Sequence, residues 1–292
     1  MSLKEIVQRR IARFFMPTPS LPVLFDTSEL SADILEKILL RVDLETLIRA
    51  GPCVSPLWYD ILKQKSFWVE RARLDGADPS CFPPSSITDV PFDLGKIYYY
   101  KPFNRNLIEN HSGQHGFEGW KVVNRGYSDR MKVENPPVMG NSLAHPSLDV
   151  PCCFVTSYSL SEKTIIIDFA EFGVDPEIMD RRPHIAVSEW CSHRNDCAAE
   201  YTLEVCLLDE NSEEFDDEDT VFQFHRHMRQ WDDLEWQEAS HVFTNYPRGV
   251  RKVMMTSSGQ DCQFWKGHYG SKMAHASVKL QYEFDGPVEE VE

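Results

Sequence analysis

Apolar residues recur at helical spacing in the first quarter of the chain. The positions that carry this repeat are Ile34, Leu35, Ile38, Leu39 and Val42. A recurrence at every third or fourth residue predicts an amphipathic helix, with Ser31 as its expected N-cap. A second short helix is predicted over residues 44–50. Prolines then interrupt the pattern, and a third helix is expected to begin at Trp58. On periodicity alone, this segment is a small helical bundle.

The pattern changes after residue 74. The turn-rich stretch DGADPSCFPPSS is typical of a linker, and FDLGKIYYYKPFNRNLI after it predicts a short helix. Short segments that alternate and are rich in β-branched or aromatic residues then follow one another: CCFVTSYSL, KTIIIDFAEF, HIAVSEW, YTLEVCLLD, TVFQFHRH, HVFTNYP, RKVMMTSS and ASVKLQYEF. Such segments predict an antiparallel β-sandwich. A doubly wound nucleotide fold is not expected, because no strand–glycine–helix phosphate loop is present.

Charge and cysteine usage narrow the classes of partner. The chain has 292 residues and a formal net charge of -16, which argues against nucleic acid or anionic lipid as the main partner. No apolar run is long enough to insert into a membrane, and no signal peptide is recognised. The eight cysteines do not repeat at a regular spacing, so we expect reduced thiols and a cytoplasmic location.

The sequence gives little support for a metal site or for a hydrolase activity. His225 and His227 share one face of a predicted strand, but no third ligand is identifiable, so neither a metal nor a cofactor is predicted. Adjacent Asp232 and Asp233 would point to opposite faces of a strand, whereas a glycosidase needs carboxylates that face each other across a bond. A carbohydrate-active enzyme is therefore the weakest of the functions considered, and turnover of a glycan would be needed to support it.

The helical segment resembles an F-box. The resemblance rests on a leucine-rich helix, on RAGPCVSPLW and on the closing SFWVERA. Leu30-Ser31 lacks the family's usual proline, and Ser55 replaces a usual cysteine before Trp58. The resemblance implies docking onto the Skp adaptor of a cullin-based ubiquitin ligase through apolar side chains that fill a groove. The residues predicted to contact the adaptor are Leu30, Ile34, Leu35 and Ile38. Some of them must pack the internal core instead, and the sequence does not divide them.

Four stretches of the second half resemble the F-box-associated domain of the sugar-recognising F-box proteins. They are NRNLIENHSGQHGFEGWKV, FVTSYSLSEKTIIIDF, WQEASHVFTNYPRGVRKV and GQDCQFWKGHYG. The resemblance implies an α+β chain, in which a helical F-box and a helical linker precede an antiparallel β-sandwich of about ten strands. The predicted divisions are an N-terminal extension, the F-box, the linker, the sandwich and an acidic tail, at residues 1–26, 27–72, 73–101, 102–286 and 287–292.

This resemblance also implies a binding site for the chitobiose core of high-mannose N-glycans, in loops at one end of the sandwich. Position by position, it falls on Tyr158, Asp196, Phe264, Trp265 and Lys266. The residue types suit a sugar, because an indole offers a flat apolar surface and a carboxylate accepts strong hydrogen bonds from hydroxyl groups. Phe264 lacks the hydroxyl of the family's tyrosine, and His268 stands where many members carry tryptophan.

The function that the resemblance implies is a non-catalytic substrate receptor of a Skp–cullin–F-box ubiquitin ligase. Its partners would be the Skp adaptor, the cullin scaffold and N-glycosylated proteins that are misfolded and exported to the cytosol for degradation. Some relatives keep the fold and bind no glycan. A receptor that uses the same loops to bind a protein surface is therefore the second hypothesis.

Overall fold

The computed structural model describes residues 30–78, 81–84, 92–125, 131–139, 151–232 and 235–284. The chain divides into two compact units, Met1–Lys101 and Pro102–Glu292. The predicted N-terminal extension and acidic tail lie outside the described residues. Within the described part of the chain, no helix is both long enough and apolar enough to cross a membrane.

The first unit is helical. Its helices are α1 (Ala32–Leu39), α2 (Leu44–Arg49), α3 (Pro56–Leu62), α4 (Lys65–Asp75) and α5 (Leu94–Tyr100). Ser31 is the N-cap of α1, as predicted, although it contributes its backbone carbonyl rather than its side chain. Asp43 caps α2 through its side chain, which accepts a hydrogen bond from the Thr46 N–H at 2.9 Å.

Two helix boundaries differ from the sequence-based prediction. Helix α3 begins at Pro56 and not at Trp58, because proline is well suited to the first helical position and Ser55 caps that end. Helix α4 was not predicted as a separate helix. It continues to Asp75, beyond the predicted F-box boundary, and ends at Gly76, whose φ of 67° favours glycine.

Aromatic side chains fill the core of the helical unit. Trp58, Phe67 and Trp68 are almost completely buried, and the Trp68 indole N–H donates to the Leu62 carbonyl at 2.7 Å. Arg71 closes the end of α1, since its guanidinium donates to the carbonyls of Leu40 and Val42 at 3.1 and 2.6 Å. The helices therefore hold one another through a shared core and a few buried polar contacts.

The second unit is the predicted antiparallel β-sandwich, and its described residues form ten strands. They are β1 (Lys121–Asn124), β2 (Lys132–Glu134), β3 (Cys153–Val155), β4 (Ser161–Asp168), β5 (Pro183–Ser192), β6 (Ala199–Leu208), β7 (Val221–Met228), β8 (Gln237–Phe243), β9 (Lys252–Asp261) and β10 (Lys272–Phe284). One sheet has the order β1-β4-β9-β6-β7, and the other has the order β2-β3-β10-β5-β8. A short helix, α6 (Pro176–Met179), lies between β4 and β5. The hydrophobic pattern missed β1 and β2, which are short and have few fully buried positions.

The two strand orders place consecutive strands at matching positions of the two sheets. The pairs β1/β2, β3/β4, β9/β10, β5/β6 and β7/β8 occupy the first to fifth places. Neighbouring strands run antiparallel, so the two strands of each pair are connected at the same end, whereas the β4–β5 and β8–β9 connections cross between the sheets at the opposite end. We call the end that connects the strands of each pair the crossover end. It is the end at which Val155, Ser192, Asp261 and Lys272 lie, as the register of β3, β5 and β10 shows.

A buried ion pair joins the interior of the sandwich. Lys163 of β4 and Glu189 of β5 are both completely buried, and the ammonium nitrogen lies 2.5 Å from Glu189 Oε1. Tyr201 of β6 donates its hydroxyl to Glu189 Oε2 at 2.8 Å, and the ammonium also lies 3.6 Å from the centre of the Trp120 ring. Burial lowers the pKa of Lys163, while Glu189 favours the charged form. The network connects strands of both sheets across the core.

Replacement of Lys163 by methionine is expected to destabilise the sandwich strongly. The substitution keeps most of the side-chain volume but leaves Glu189 and its neighbours without their buried cation, a change that typically costs about 3–5 kcal/mol. Urea unfolding of the full chain, followed by near-UV circular dichroism, measures the loss.

Arg125→Met supplies the matched control. Arg125 pairs with Glu162 at 3.1 Å, but its side chain is 65% exposed, and exposed pairs contribute little to stability. Equal losses of stability in the two variants would contradict the importance assigned to the buried network.

Candidate functional site

The three central crossover loops carry all five residues predicted to bind a sugar. Tyr158 lies in the β3–β4 loop, Asp196 in the β5–β6 loop, and Phe264, Trp265 and Lys266 in the β9–β10 loop. These strands occupy neighbouring places in both sheets. The predicted residues, although spread over more than 100 positions of the sequence, therefore lie together at the crossover end. Their role in binding stays a prediction.

The β9–β10 loop displays its side chains outward because its backbone turns sharply. Asp261 is completely buried, and its carboxylate accepts a hydrogen bond from the Phe264 N–H at 2.5 Å. Phe264 has a φ of 56°, which is uncommon for a bulky residue, and its side chain is 73% exposed. Trp265 is 40% exposed, and Lys266 is exposed as well. The loop thus presents an aromatic surface next to a flexible cation.

The β3–β4 loop holds this turn in place. The Ser157 hydroxyl donates to the Gly267 carbonyl at 2.6 Å, and backbone bonds join Gly270 N–H to Thr156 and Asp261 N–H to Ser157. A Cβ atom on Gly270 would lie 2.1 Å from the Thr156 hydroxyl oxygen, so only glycine permits this approach. Gly270 is therefore needed for the β3–β4 and β9–β10 loops to pack closely.

A row of side chains links Asp196 to Trp265. Arg194 donates two hydrogen bonds to the Asp196 carboxylate at 2.9 and 2.8 Å, and its guanidinium carbon lies 4.2 Å from the centre of the Tyr269 ring. Tyr269 in turn meets the edge of Trp265, with ring centres 5.4 Å apart. The sequence analysis missed Arg194 and Tyr269. The sequence feature that could have indicated them is their proximity to Asp196 and Trp265 in the stretches SHRNDC and FWKGHYG.

The Arg194 contact sets the charge of Asp196. The hydrogen bonds from Arg194 lower the pKa of the Asp196 carboxyl group, and burial opposes them to a smaller extent. The carboxylate is consequently ionised at neutral pH. An ionised carboxylate has about four lone-pair directions, more than the Arg194 fork and the backbone N–H of Asp196 use together. Asp196 is therefore oriented by Arg194 and still able to accept hydrogen bonds from hydroxyl groups.

Tyr158 is half-buried, and it lies directly after Ser157 in the loop that packs on the β9–β10 turn. Its position is thus fixed by the same hydrogen bonds that hold the turn. Tyr158 therefore lies in the crossover loop next to the one that carries Trp265.

The four residues predicted to contact an adaptor separate into three groups. Ile34 is 51% exposed, whereas Leu30 and Ile38 are half-buried against the core of the helical unit. Leu35 is completely buried, so its assignment to the adaptor surface was wrong. It faces inward because successive residues of an amphipathic helix point in different directions, and the inward stripe of α1 runs through Leu35 and Leu39.

One cluster of possible metal ligands occurs among the described residues. Ligand atoms of Glu200, His227 and Cys262 lie within 4.8 Å of one another on β6, β7 and the start of the β9–β10 loop. The sequence had identified His227 without a third partner, since Glu200 and Cys262 become neighbours only through strand pairing. Burial, together with the charge of Glu200, raises the pKa of the Cys262 thiol. The thiol is therefore protonated at neutral pH, and only its thiolate would bind a metal.

The architecture and the site define a class of protein: a helical unit followed by a β-sandwich that groups aromatic and charged side chains at one end. A family model for the F-box associated region matches residues 98–280. Mouse F-box only protein 6 is 32% identical over 262 residues, covering 87% of this chain and 83% of that protein. Mouse F-box only protein 27 is 31% identical over 275 residues, covering 91% and 94%. The chain belongs to the F-box only proteins that carry an F-box associated region.

One solved structure that matches this chain resembles it only weakly. A carbohydrate-binding module, TmCBM61, whose structure contains β-1,4-galactotriose, matches 61% of this chain and 99% of its own length, with a TM-score of 0.39 and 14% identity. A likeness at this level carries no argument about function. The family membership therefore rests on the sequence comparisons.

Proposed function

We propose that this protein is a substrate receptor of a Skp–cullin–F-box ubiquitin ligase and that its sandwich binds the chitobiose core of N-glycans. The observation that carries the proposal is the convergence of Tyr158, Asp196, Phe264, Trp265 and Lys266 at the crossover end. The substrates would be misfolded high-mannose glycoproteins that reach the cytoplasm and are degraded there.

The chemistry of the site suits a pyranose. One face of the ring carries C–H groups that can stack on the Trp265 indole, and its rim carries hydroxyl and acetamido groups. Asp196 is held ionised by Arg194 and can accept hydrogen bonds from that rim, while Lys266 can donate them. Phe264 and Tyr158 would exclude water from the sides. Binding of this kind requires neither a metal nor an acid–base pair.

The helical unit would supply the attachment to the ligase. Ile34 is the large apolar residue of α1 that is exposed enough for a partner to cover. Ile38 lies one turn further along the same helix, and Leu30 lies just before it. An apolar helix face that fills a partner's groove is a common recognition mode. The receptor would then act without catalysis of its own, because it raises the effective concentration of substrate lysines near the conjugating enzyme.

The same loops could instead bind a protein surface, and Phe264 favours this second function. Its ring is the most exposed of the large apolar side chains described, and it lacks a hydroxyl group for a sugar. A protein-binding receptor would capture substrates equally well after enzymatic deglycosylation, whereas a glycan receptor would lose them.

Trp265→Ala is expected to weaken chitobiose binding by at least about tenfold, because it removes the stacking surface at the centre of the site. Phe264→Tyr restores a hydroxyl and is expected to strengthen binding by up to about tenfold, the effect of one net hydrogen bond. Isothermal titration calorimetry of the full-length variants with chitobiose measures both changes.

Ile166→Ala serves as the control, since Ile166 is 48% exposed but lies toward the other end of β4. Affinity should be unchanged in this variant. Wild-type protein that binds no chitobiose, or a Trp265→Ala variant with wild-type affinity, would overturn the glycan proposal.

Ile34→Asp is expected to abolish copurification with the Skp adaptor, because a carboxylate would be buried without a partner at the interface. Leu74→Asp is the matched control: Leu74 is 52% exposed at the end of α4, so the same charge is introduced at another exposed apolar position. Leu35→Asp is unsuitable, since it would unfold the helical unit. Adaptor binding that survives Ile34→Asp would contradict the proposed docking face.

A further inference from the structure

Trp231 is an exposed tryptophan that the sequence analysis did not consider. It lies after β7, in the connection to β8, and its side chain is 68% exposed. Among the described residues of the second unit, the exposed Phe, Tyr and Trp side chains are Trp231, Phe264 and Trp265. All three belong to connections at the crossover end. The most exposed aromatic surface of the sandwich is therefore concentrated where the sugar is proposed to bind.

The backbone holds Trp231 in an uncommon conformation. Its φ is 72°, in the left-handed region that bulky residues rarely occupy, and Phe264 shares this property with a φ of 56°. Such a conformation is strained and is found preferentially at functional sites. Burial does not compensate for the strain, because both side chains are largely exposed.

Hydrogen bonds tie this segment to the loop that carries Asp196. The Trp231 N–H donates to the Asn195 carbonyl at 2.7 Å, and the Gln230 side chain donates to the Asp196 carbonyl at 2.8 Å. The Asn195 side chain donates in return to the carbonyl of Asp232 at 3.0 Å. Trp231 is consequently held in register with the Asp196 loop and is not an isolated surface residue.

The strand order gives the spacing of the strands that carry the two aromatic residues. The loop with Trp265 joins the third strands of the two sheets, the loop with Asp196 joins the fourth, and the segment with Trp231 joins the fifth. Two strand spacings separate the third and fifth places, or about 10 Å. A strand separation of this size exceeds the width of one pyranose and suits an oligosaccharide.

We propose that Trp231 forms a second sugar subsite, which stacks against a pyranose of the same glycan beyond the chitobiose unit. The inference rests on the proposed function and extends it from a disaccharide to a longer chain. Asp232 and Arg229 are exposed and lie close to Trp231 in sequence, and they would supply an acceptor and a donor for sugar hydroxyl groups. The row Trp265, Asp196 and Trp231 would then follow one glycan across the crossover end.

The test compares two ligands on full-length protein. Trp231→Ala should leave the affinity for chitobiose unchanged and lower the affinity for a high-mannose N-glycan by roughly three- to tenfold, the loss expected for one aromatic stacking contact. Trp231→Phe keeps a ring at the same strained backbone position and should retain most of the affinity. Calorimetric titration measures binding, and thermal unfolding checks that the fold is intact.

The outcomes separate the two proposals. If wild-type protein binds neither ligand, the proposed function and the second subsite both fail. If wild-type protein binds both ligands but Trp231→Ala affects neither, only the second subsite is overturned. An equal loss for chitobiose and for the longer glycan also overturns it, because Trp231 would then act by positioning the Asp196 loop.

Discussion

The position of β9 and β10 at the centres of the two sheets is the constraint on which the site depends. Strand β9 has 10 residues and β10 has 13, and each has a neighbouring strand on both sides. The loop between them must cross from the middle of one sheet to the middle of the other. It meets the β3–β4 and β5–β6 loops there because those strands flank β9 and β10. The strand order therefore assembles the candidate site, and the loop residues supply its chemistry.

Buried polar contacts hold this arrangement together. Lys163 and Glu189 connect the two sheets inside the core, and Lys272 at the start of β10 pairs with Glu134 of β2. Breaking a buried ion pair costs free energy. These pairs therefore favour the observed arrangement of the strands over shifted ones. Near the surface, hydrogen bonds of Ser157, Thr156 and Gly270 fix the position of the β9–β10 loop. The exposed side chains of Phe264 and Trp265 are thus carried on a rigid base.

Much of the fold could be predicted from the sequence, since the long strands β4 to β10 alternate strongly and the helices repeat every three to four residues. The short strands β1 and β2 could not, because three or four residues give too little pattern. Residue resemblance identified Asp196 and Trp265, but not Arg194, Tyr269 or Trp231. Those three matter through contacts between loops, which depend on strand order. For the same reason, the sequence could not tell that Leu35 faces the core while Ile34 faces outward.

The central claim is that the crossover end binds an N-glycan core. A titration of isotope-labelled full-length protein with chitobiose, followed by nuclear magnetic resonance, tests it most directly. The account predicts that the largest chemical-shift changes occur at the Trp265 indole and at the backbone amides near Ser157 and Asp196. Shifts that fall instead on the acidic segment 209–219, or no shifts at saturating chitobiose, would contradict it.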